Sequence, residues 1–152
     1  MKILVAVDFS DITDKVLSHA ARLAEATRGA LVLMHIAEPA PDHIAYDMDP
    51  GTPYAIDPAE LRDGLAKRFH QEHKALQDHA EALRQRGIEC KALMVQGETV
   101  DMLLAEADKM QVDFIVAGSH GKGLLGQLLL GSTSEKLLRN SRLPVHIIPA
   151  AE

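Results

Sequence analysis

Residues 114–134 read FIVAGSHGKGLLGQLLLGSTS, which is a short apolar run followed by a glycine-rich turn and a polar helix start. Two residues separate Gly118 from Gly121, nine separate Gly121 from Gly131, and Ser132 follows directly. Glycine lets the backbone approach a ligand closely and adopt positive φ without steric cost. Free N–H groups at the start of a helix attract phosphate. The stretch therefore predicts a buried strand that leads into an anion-binding turn.

Four further apolar runs resemble this strand, and they alternate with segments of helical period. The predicted strands comprise residues 3–7, 30–36, 89–95, 114–117 and 145–148. The predicted helices run from Ser10 to about Arg28, from Asp57 to about Arg86, from Thr99 to about Met110 and from Ser132 to about Asn140. This alternation predicts an α/β fold in which one domain, residues 1–152, forms an open five-stranded parallel sheet with helices on both faces.

The segment between the second strand and the second helix, residues 37–57, holds four prolines and several acids but no Lys or Arg, which predicts a long loop. The expected strand order is 3-2-1-4-5. Ligands of such sheets bind beyond the carboxyl ends of the strands, where the order reverses. The first strand leads into Asp8 and the fourth into Gly118, so these two residues should face one crevice although 110 positions separate them.

Composition and charge limit the possible partners. The chain has 152 residues, of which 47% are apolar and 25% charged, and its net charge of −6 argues against nonspecific binding of nucleic acid. Residues 118–146 nevertheless carry a local charge of +3, which leaves −9 on the rest of the chain. That distribution suits an anion site in an acidic protein, although a chance cluster in a short window explains it equally well.

Cysteine usage and hydropathy bear on the compartment. Cys90 is the one cysteine, so an internal disulfide is impossible, and the chain fits a reducing cytoplasm. The apolar run near the N-terminus is too short for a signal peptide and predicts a strand instead. No run approaches the roughly 18 apolar residues that a membrane span requires, so we expect no membrane insertion.

Commoner phosphate motifs fit the glycine-rich segment poorly. The chain contains no G-x-x-x-x-G-K-[ST] sequence, so it is not a P-loop protein. Residues 121–126 match G-x-G-x-x-G, but they follow the fourth strand, and the residue 20 positions beyond Gly126 is His146 rather than an acid. These facts argue against a Rossmann dehydrogenase. Ser132 and Glu135 also fit a capping box, S-x-x-E, which would explain that pair without any ligand.

Four segments together resemble the universal stress protein family, in its ATP-binding branch. They are ILVAVDFS at residues 3–10, LVLMHI at 31–36, DFIVAGSHG at 113–121 and LLLGSTSEKLLRNSRLPVHIIP at 128–149, so that the resemblance covers essentially the whole chain. The family's ATP-binding pattern G-x2-G-x9-G-[ST] is met by Gly118, Gly121, Gly131 and Ser132. The chain departs from many members at Ala6, where they have Pro, and at Ala117, where they have Met.

The resemblance implies a Rossmann-like fold of the adenine nucleotide alpha hydrolase type and a set of nucleotide contacts. It implies that Asp8 lies near the ribose and base and that Ile36 offers main-chain contacts to adenine. The remaining contacts, to ribose and phosphates, would come from Gly118, His120, Gly121, Gly131, Ser132, Thr133 and Ser134. Chemistry adds Lys122 as a cation for the phosphates. Asp8 is also expected to hold Mg²⁺ of the bound nucleotide through water.

Three other features admit two interpretations each. His70, Glu72, His73 and His79 suggest either a zinc site or, as we favour, an exposed polar helix face, because HExxH spacing is absent. The leucines between residues 124 and 130 are expected to pin the loop to the core or to form a subunit interface, and we favour the core. Val145–Ile148 lies at an expected sheet edge, which invites strand pairing. The resemblance implies a homodimer through this edge. The alternative is that the edge stays unpaired and that Pro144 and Pro149 protect it from pairing.

These observations favour a cytoplasmic, dimeric, ATP-binding stress-response or regulatory protein that acts on an unidentified protein partner. AMP or ADP remains possible as the ligand. Binding is expected to order the 37–57 loop. The alternatives are a slow ATPase or nucleotidyl-transfer enzyme, and a partner-binding module with a vestigial nucleotide site. The sequence predicts no catalytic residue, because no base or nucleophile accompanies the glycine-rich turn.

Overall fold

The computed structural model describes residues 1–37, 58–119 and 130–150. Its strands are β1 (Lys2–Ala6), β2 (Ala30–Ala37), β3 (Cys90–Gln96), β4 (Phe114–Gly118) and β5 (Val145–Ile148). Its helices are α1 (Thr13–Thr27), α2 (Pro58–Gln85), α3 (Thr99–Lys109) and α4 (Ser132–Asn140). The predicted elements are thus confirmed, with small changes of boundary. The predicted loop loses its first residue, Ala37, to β2, and the rest of it lies outside the described residues.

All four strand pairings are parallel, and the order of the sheet is β3-β2-β1-β4-β5, as predicted. The central strand β1 pairs with β2 on one side and with β4 on the other, so that Leu4 lies opposite both Val32 and Ile115. The strand order therefore reverses at β1. The carboxyl ends of β1 and β4 border the crevice that such a reversal opens.

Two hydrophobic layers cover the sheet, one on each face. Alternate residues of β1 point to opposite faces, so Ile3 and Val5 join the layer of α1 and α2, whereas Leu4 joins that of α3 and α4. Each of these three side chains is completely buried. Burial on both faces explains why the strands read as continuous apolar runs rather than alternating ones. In the first layer, burial raises the pKa of the Cys90 thiol to about 11, which marks it as a packing residue.

The start of α1 differs from the prediction that Ser10 caps it. The N-cap residue is Ile12, whose side chain makes no capping bond. The Ser10 hydroxyl instead donates to Oδ1 of Asp8 at 2.7 Å, because Asp8 is two residues away and has a stronger acceptor. At the other end Arg28 adopts φ 50, and the amide of Gly29 donates to Ala24. A Cβ on Gly29 would lie 2.8 Å from the Met1 carbonyl oxygen, so this close approach requires glycine.

The helix α2 is longer than the strands it covers. Its 28 residues span about 42 Å at 1.5 Å per residue, whereas the eight residues of β2 span about 26 Å. Leu76, Ala80 and Leu83 in its second half are buried, whereas Phe69 in its first half is 41% exposed. Because α2 ends next to the start of β3, its first half extends beyond the carboxyl edge of the sheet. That half therefore borders the crevice rather than the core.

Among the described residues, no helix is both long enough and apolar enough to cross a membrane.

Candidate functional site

A cavity of about 390 Å³ lies at the carboxyl ends of β1, β2 and β4. Asp8 and Gly118 both line it, so the convergence predicted from strand order is confirmed. The other lining residues come from both helical layers and from the strand ends, and they are Ala6, Val7, Met34, His35, Ile36, Arg68, Thr99, Leu103, Ala117, Gly131, Ser132, Thr133, Ser134 and Leu137. The residues that line the cavity are thus distant in the sequence, from Ala6 to Leu137.

The N-terminus of α4 supplies one wall of this cavity. Gly131 is its N-cap residue, in an extended conformation with φ −66 and ψ 155 and without a side-chain cap. The first intrahelical bond of α4 runs from the amide of Glu135 to Gly131. The amides of Ser132, Thr133 and Ser134 have no backbone acceptor within the described residues, as is usual in the first turn of a helix. Their N–H groups and the helix dipole favour an anion at this point.

The capping box predicted from Ser132 and Glu135 does not form. Glu135 pairs with Arg139 at 2.6 Å, one helical turn onward, and α4 has no side-chain cap. Glu135 is an exposed residue of α4 and is not among those that line the cavity. Glu135 therefore does not bond to the N–H groups in the first turn of α4, and these groups can bind another partner.

Two hydrogen bonds join the start of α4 to the end of β4. The amide of Gly131 donates to the carbonyl of Ser119 at 2.7 Å. The Ser134 hydroxyl donates to the carbonyl of Gly118 at 2.7 Å, and its residue is only 5% exposed. This hydroxyl therefore donates to the protein, and the predicted contact of Ser134 to a nucleotide would come from its amide. Ser132 and Thr133, by contrast, are exposed.

Asp8 is half-buried and anchored on one of its oxygens. Its Oδ1 accepts from the amide of Ser10 at 3.0 Å, from the Ser10 hydroxyl at 2.7 Å and more distantly from the Thr13 hydroxyl at 3.4 Å. The carboxylate thus serves the turn between β1 and α1, as an ordinary turn acid would. Within the residues that the structure describes, no group donates to Oδ2. One oxygen of Asp8 therefore fixes the side chain while the other remains for a ligand.

Ile36 lines the cavity near the end of β2. The amide of Val7 donates to the carbonyl of Met34, which shows that the backbone groups of Met34 face β1. Ile36 lies two residues further and has the same orientation, but β1 has already ended at Ala6. Its N–H and C=O therefore face the space beyond the last ladder partner. This is the position at which a planar heterocycle can bond to the main chain.

The sequence gives no indication of the chain of polar contacts that borders the cavity on the α2 side. Nδ1 of His35 donates to the carbonyl of Val7 at 2.7 Å, and its Nε2 lies 3.4 Å from Oε2 of Glu72. Oε1 of Glu72 accepts from Nε of Arg68 at 2.9 Å. The side chains of His35 and Glu72 are 7% and 11% exposed. Arg68, Glu72 and His35, here called the polar relay, thus connect α2 to the end of β1.

Glu72 is ionised within this relay. Burial by itself would raise the pKa of Glu72, but the hydrogen bond and charge of Arg68, together with His35, lower the pKa below its ordinary value. The sequence predicts that Glu72 belongs to an exposed polar face of the helix, but its side chain is 11% exposed. His70 and His73 do lie on an exposed face. The described residues contain no cluster of three potential metal ligands, so the suggested zinc site does not form there.

Comparison with known proteins agrees with this architecture. A model of the universal stress protein family matches residues 1–149. The chain belongs to the universal stress protein family. A universal stress protein of Thermus aquaticus is 31% identical over 147 residues, which are 96% of each chain. The solved structure of MJ0577, a universal stress protein of Methanocaldococcus jannaschii, matches with a TM-score of 0.79 and 25% identity over 99% of this chain and 96% of that one.

A second similar structure was determined with a ligand. It is that of the universal stress protein from Archaeoglobus fulgidus in complex with dAMP, and it matches with a TM-score of 0.62 over 97% of each chain. At 22% identity this likeness concerns the fold alone. The fold of this chain is therefore shared by both of these solved structures.

Two departures from the universal stress protein pattern fall on the cavity. Ala6 and Ala117, where many members have Pro and Met, both line it. Both alanines have smaller side chains than the residues they replace. His120 and Gly121, which the family resemblance singles out, and Lys122, which is expected on chemical grounds, lie outside the described residues. Most of the leucine-rich segment lies there as well, and its last member, Leu130, is 39% exposed rather than in the core.

Proposed function

We propose that this protein binds an adenine nucleotide, ATP with Mg²⁺ in the first place, and that occupancy of the site regulates a stress response. One observation carries the proposal: Ser132, Thr133 and Ser134, whose amides have no acceptor among the described residues, line the same cavity as Asp8 and the end of β2. Donors for phosphates, an acceptor for ribose hydroxyls and main-chain groups for a base therefore belong to residues that line one cavity.

Each part of a nucleotide has a partner of suitable chemistry. The phosphates bind at the N-terminus of α4, where the helix dipole favours negative charge. Oδ2 of Asp8 accepts from the ribose or holds Mg²⁺ through water. Adenine bonds to the main chain of Ile36 and packs against Leu103 and Ala117. The structure of the A. fulgidus protein of the same fold was determined in complex with dAMP, which supports this class of ligand. AMP and ADP are the alternative nucleotides.

Regulation fits this cavity better than turnover does. Both ring nitrogens of His35 already face protein groups, and Oδ1 of Asp8 is used by the turn. We therefore propose a binding protein, and the slow ATPase remains the hypothesis that phosphate release in the presence of Mg²⁺ would support. We further propose a cytoplasmic homodimer paired through Val145–Ile148, which presents a regulatory surface to an unidentified protein partner.

Replacement of Ser132 tests the contribution of the backbone amides. Gly131 has φ −66 and ψ 155, which is the conformation required before a proline, and Ser132 is the first helical residue, where proline is favoured. Ser132→Pro therefore removes one N–H with little harm to the helix, while Ser132→Ala removes only the hydroxyl. A hydrogen bond from a backbone amide to a charged group contributes about 1.5–3 kcal/mol. Ser132→Pro should therefore weaken ATP binding about tenfold or more relative to Ser132→Ala.

Titration calorimetry with ATP and adenosine measures this difference. Adenosine, which lacks phosphates, should bind both variants alike. Equal ATP affinities of the two variants would show that the amide of Ser132 does not contact the phosphates. Mass spectrometry of small molecules released from freshly purified, denatured protein identifies the nucleotide carried from the cell. Absence of adenylate from that extract, combined with no calorimetric uptake, would refute nucleotide binding altogether.

A further inference from the structure

The wall of the cavity that α2 provides carries a cation, Arg68. We propose that the Arg68 guanidinium contacts the phosphates of the bound nucleotide and makes affinity depend on their number, an inference that rests on the proposed function. Among the described residues that line the cavity, Arg68 is the single Lys or Arg, and Asp8 is the single Asp or Glu. Without Arg68, this lining would present a net negative charge to a polyanion.

The position of Arg68 follows from the length of α2. The first half of this helix extends past the carboxyl edge of the sheet, and Arg68 lies on its last turns before the buried second half. Its neighbour Phe69 is 41% exposed, whereas Leu76 is fully buried. A long side chain at this position of α2 lies between the buried half of the helix and the cavity. Half of the Arg68 side chain, 52%, is exposed, which is compatible with contact to a ligand.

The polar relay orients the guanidinium. Glu72 binds Nε of Arg68 with one oxygen and faces Nε2 of His35 with the other. His35 is itself held by the carbonyl of Val7, the residue before Asp8. Glu72 and His35 are almost fully buried, so their positions are set by packing as well as by charge. Glu72 is therefore a positioning residue: it fixes the direction of Arg68 and connects it through His35 to the strand end that carries Asp8.

Arginine is suited to this task by its geometry. Its planar fork of donors can bind a carboxylate on one edge and still present N–H groups along another, whereas a lysine ammonium acts as a point charge. Because one oxygen of Glu72 contacts Nε of Arg68 and the other faces His35, the carboxylate fixes the plane of the guanidinium at the edge of the cavity.

The test compares Arg68→Gln with Arg62→Gln. Arg62 lies on the same helix, is exposed and does not line the cavity, so its replacement makes the same change of net charge elsewhere. Calorimetry with ATP, AMP and adenosine should show that Arg68→Gln weakens ATP binding about tenfold or more and AMP binding less, and leaves adenosine binding within about twofold. Arg62→Gln should leave all three affinities within about twofold of those of the unchanged protein.

Two further variants separate orientation from charge. Arg68→Lys keeps the charge without the fork and should recover only part of the ATP affinity. Glu72→Gln keeps the shape of the side chain but loses its charge, and should weaken ATP while sparing adenosine. Equal losses for ATP and adenosine in Arg68→Gln would overturn the inference, since they indicate a structural or base-stacking role. Unchanged ATP affinity would overturn it too. Failure of the unchanged protein to bind any adenine nucleotide would instead refute the proposed function.

Discussion

Single residues near the cavity serve the fold and the site at once. Phe9 follows Asp8 and adopts φ 55, a left-handed conformation that is uncommon for a bulky residue. Its ring lies 4.7 Å from that of His35 and 6.3 Å from that of His79, so packing helps to hold the conformation. The turn brings Ser10 back to Oδ1 of Asp8. Backbone strain of this kind persists where the surroundings over-determine it, and it is common beside ligand sites.

Glu72 makes stability depend on pH in a direction that can be stated. Its pKa is lowered in the folded protein from an ordinary value of 4.5, so it contributes stability that is present above pH 4.5 and is lost as pH falls through the folded pKa. Urea denaturation between pH 6 and pH 3 should therefore show a steeper loss for the unchanged protein than for Glu72→Gln. Parallel curves for the two proteins would show that the pair with Arg68 does not stabilise the folded state.

At the scale of elements, the contact between β4 and α4 positions the anion site. An N-terminus of a helix binds phosphate only if it is held at the right distance from the rest of the ligand's contacts. Here the amide of Gly131 and the hydroxyl of Ser134 both bond to carbonyls at the end of β4. These two bonds therefore hold the end of β4 and the start of α4 together, on either side of the glycine-rich segment. The bond of Ser134 matters most because that residue is buried.

Ser134→Ala should consequently destabilise the protein and weaken nucleotide binding. It removes the donor to the Gly118 carbonyl, and loss of a partner in a buried hydrogen bond costs about 1–3 kcal/mol. The matched change Thr133→Ala removes an exposed hydroxyl from the adjacent residue and should alter the free energy of unfolding by less than about 0.5 kcal/mol. Urea titration of both variants measures the difference. Equal free energies of unfolding would mean that water replaces the Ser134 bond without cost.

For the molecule as a whole, the sheet leaves β5 at an edge. The carbonyls of Pro144 and Ile148 accept from Ile115 and Ser119 of β4, so the backbone groups of alternate residues face β4. Val145 and Ile147 lie between them and direct their N–H and C=O groups away from the sheet. An exposed edge of this kind is able to pair with a second strand. The proposed homodimer would use these outward groups.

Amide exchange measured by NMR tests that assembly. If dimers form through β5, the amides of Val145 and Ile147 should be protected at concentrations at which the protein sediments as a dimer, and should exchange fast in the monomer. The amides of His146 and Ile148 face β4 and should be protected in both states, which provides an internal control. A sedimenting dimer in which Val145 and Ile147 still exchange fast would place the interface elsewhere.

Local patterns in the chain specified most of the architecture. Apolar runs predicted the five strands that the described residues contain, and their alternation with helices predicted the parallel sheet and its order. Strand order predicted that Asp8 and Gly118 face one crevice, and both line the cavity. The glycine spacing predicts that the start of α4 binds an anion. These features depend on periodicity, turn chemistry and topology, which are legible in neighbouring residues or in the sequence of elements.

Contacts between distant side chains became evident only in the folded molecule. Glu72 meets His35 across 37 residues, and Arg68 lines the cavity because α2 outreaches its sheet. The Ser134 hydroxyl donates to the carbonyl of Gly118, and the Ser10 hydroxyl donates to Asp8 instead of capping α1. In each case the side chain had several possible partners within reach of its chemistry. Packing chose among them, since only the three-dimensional arrangement of helices on the sheet determines which groups are buried together.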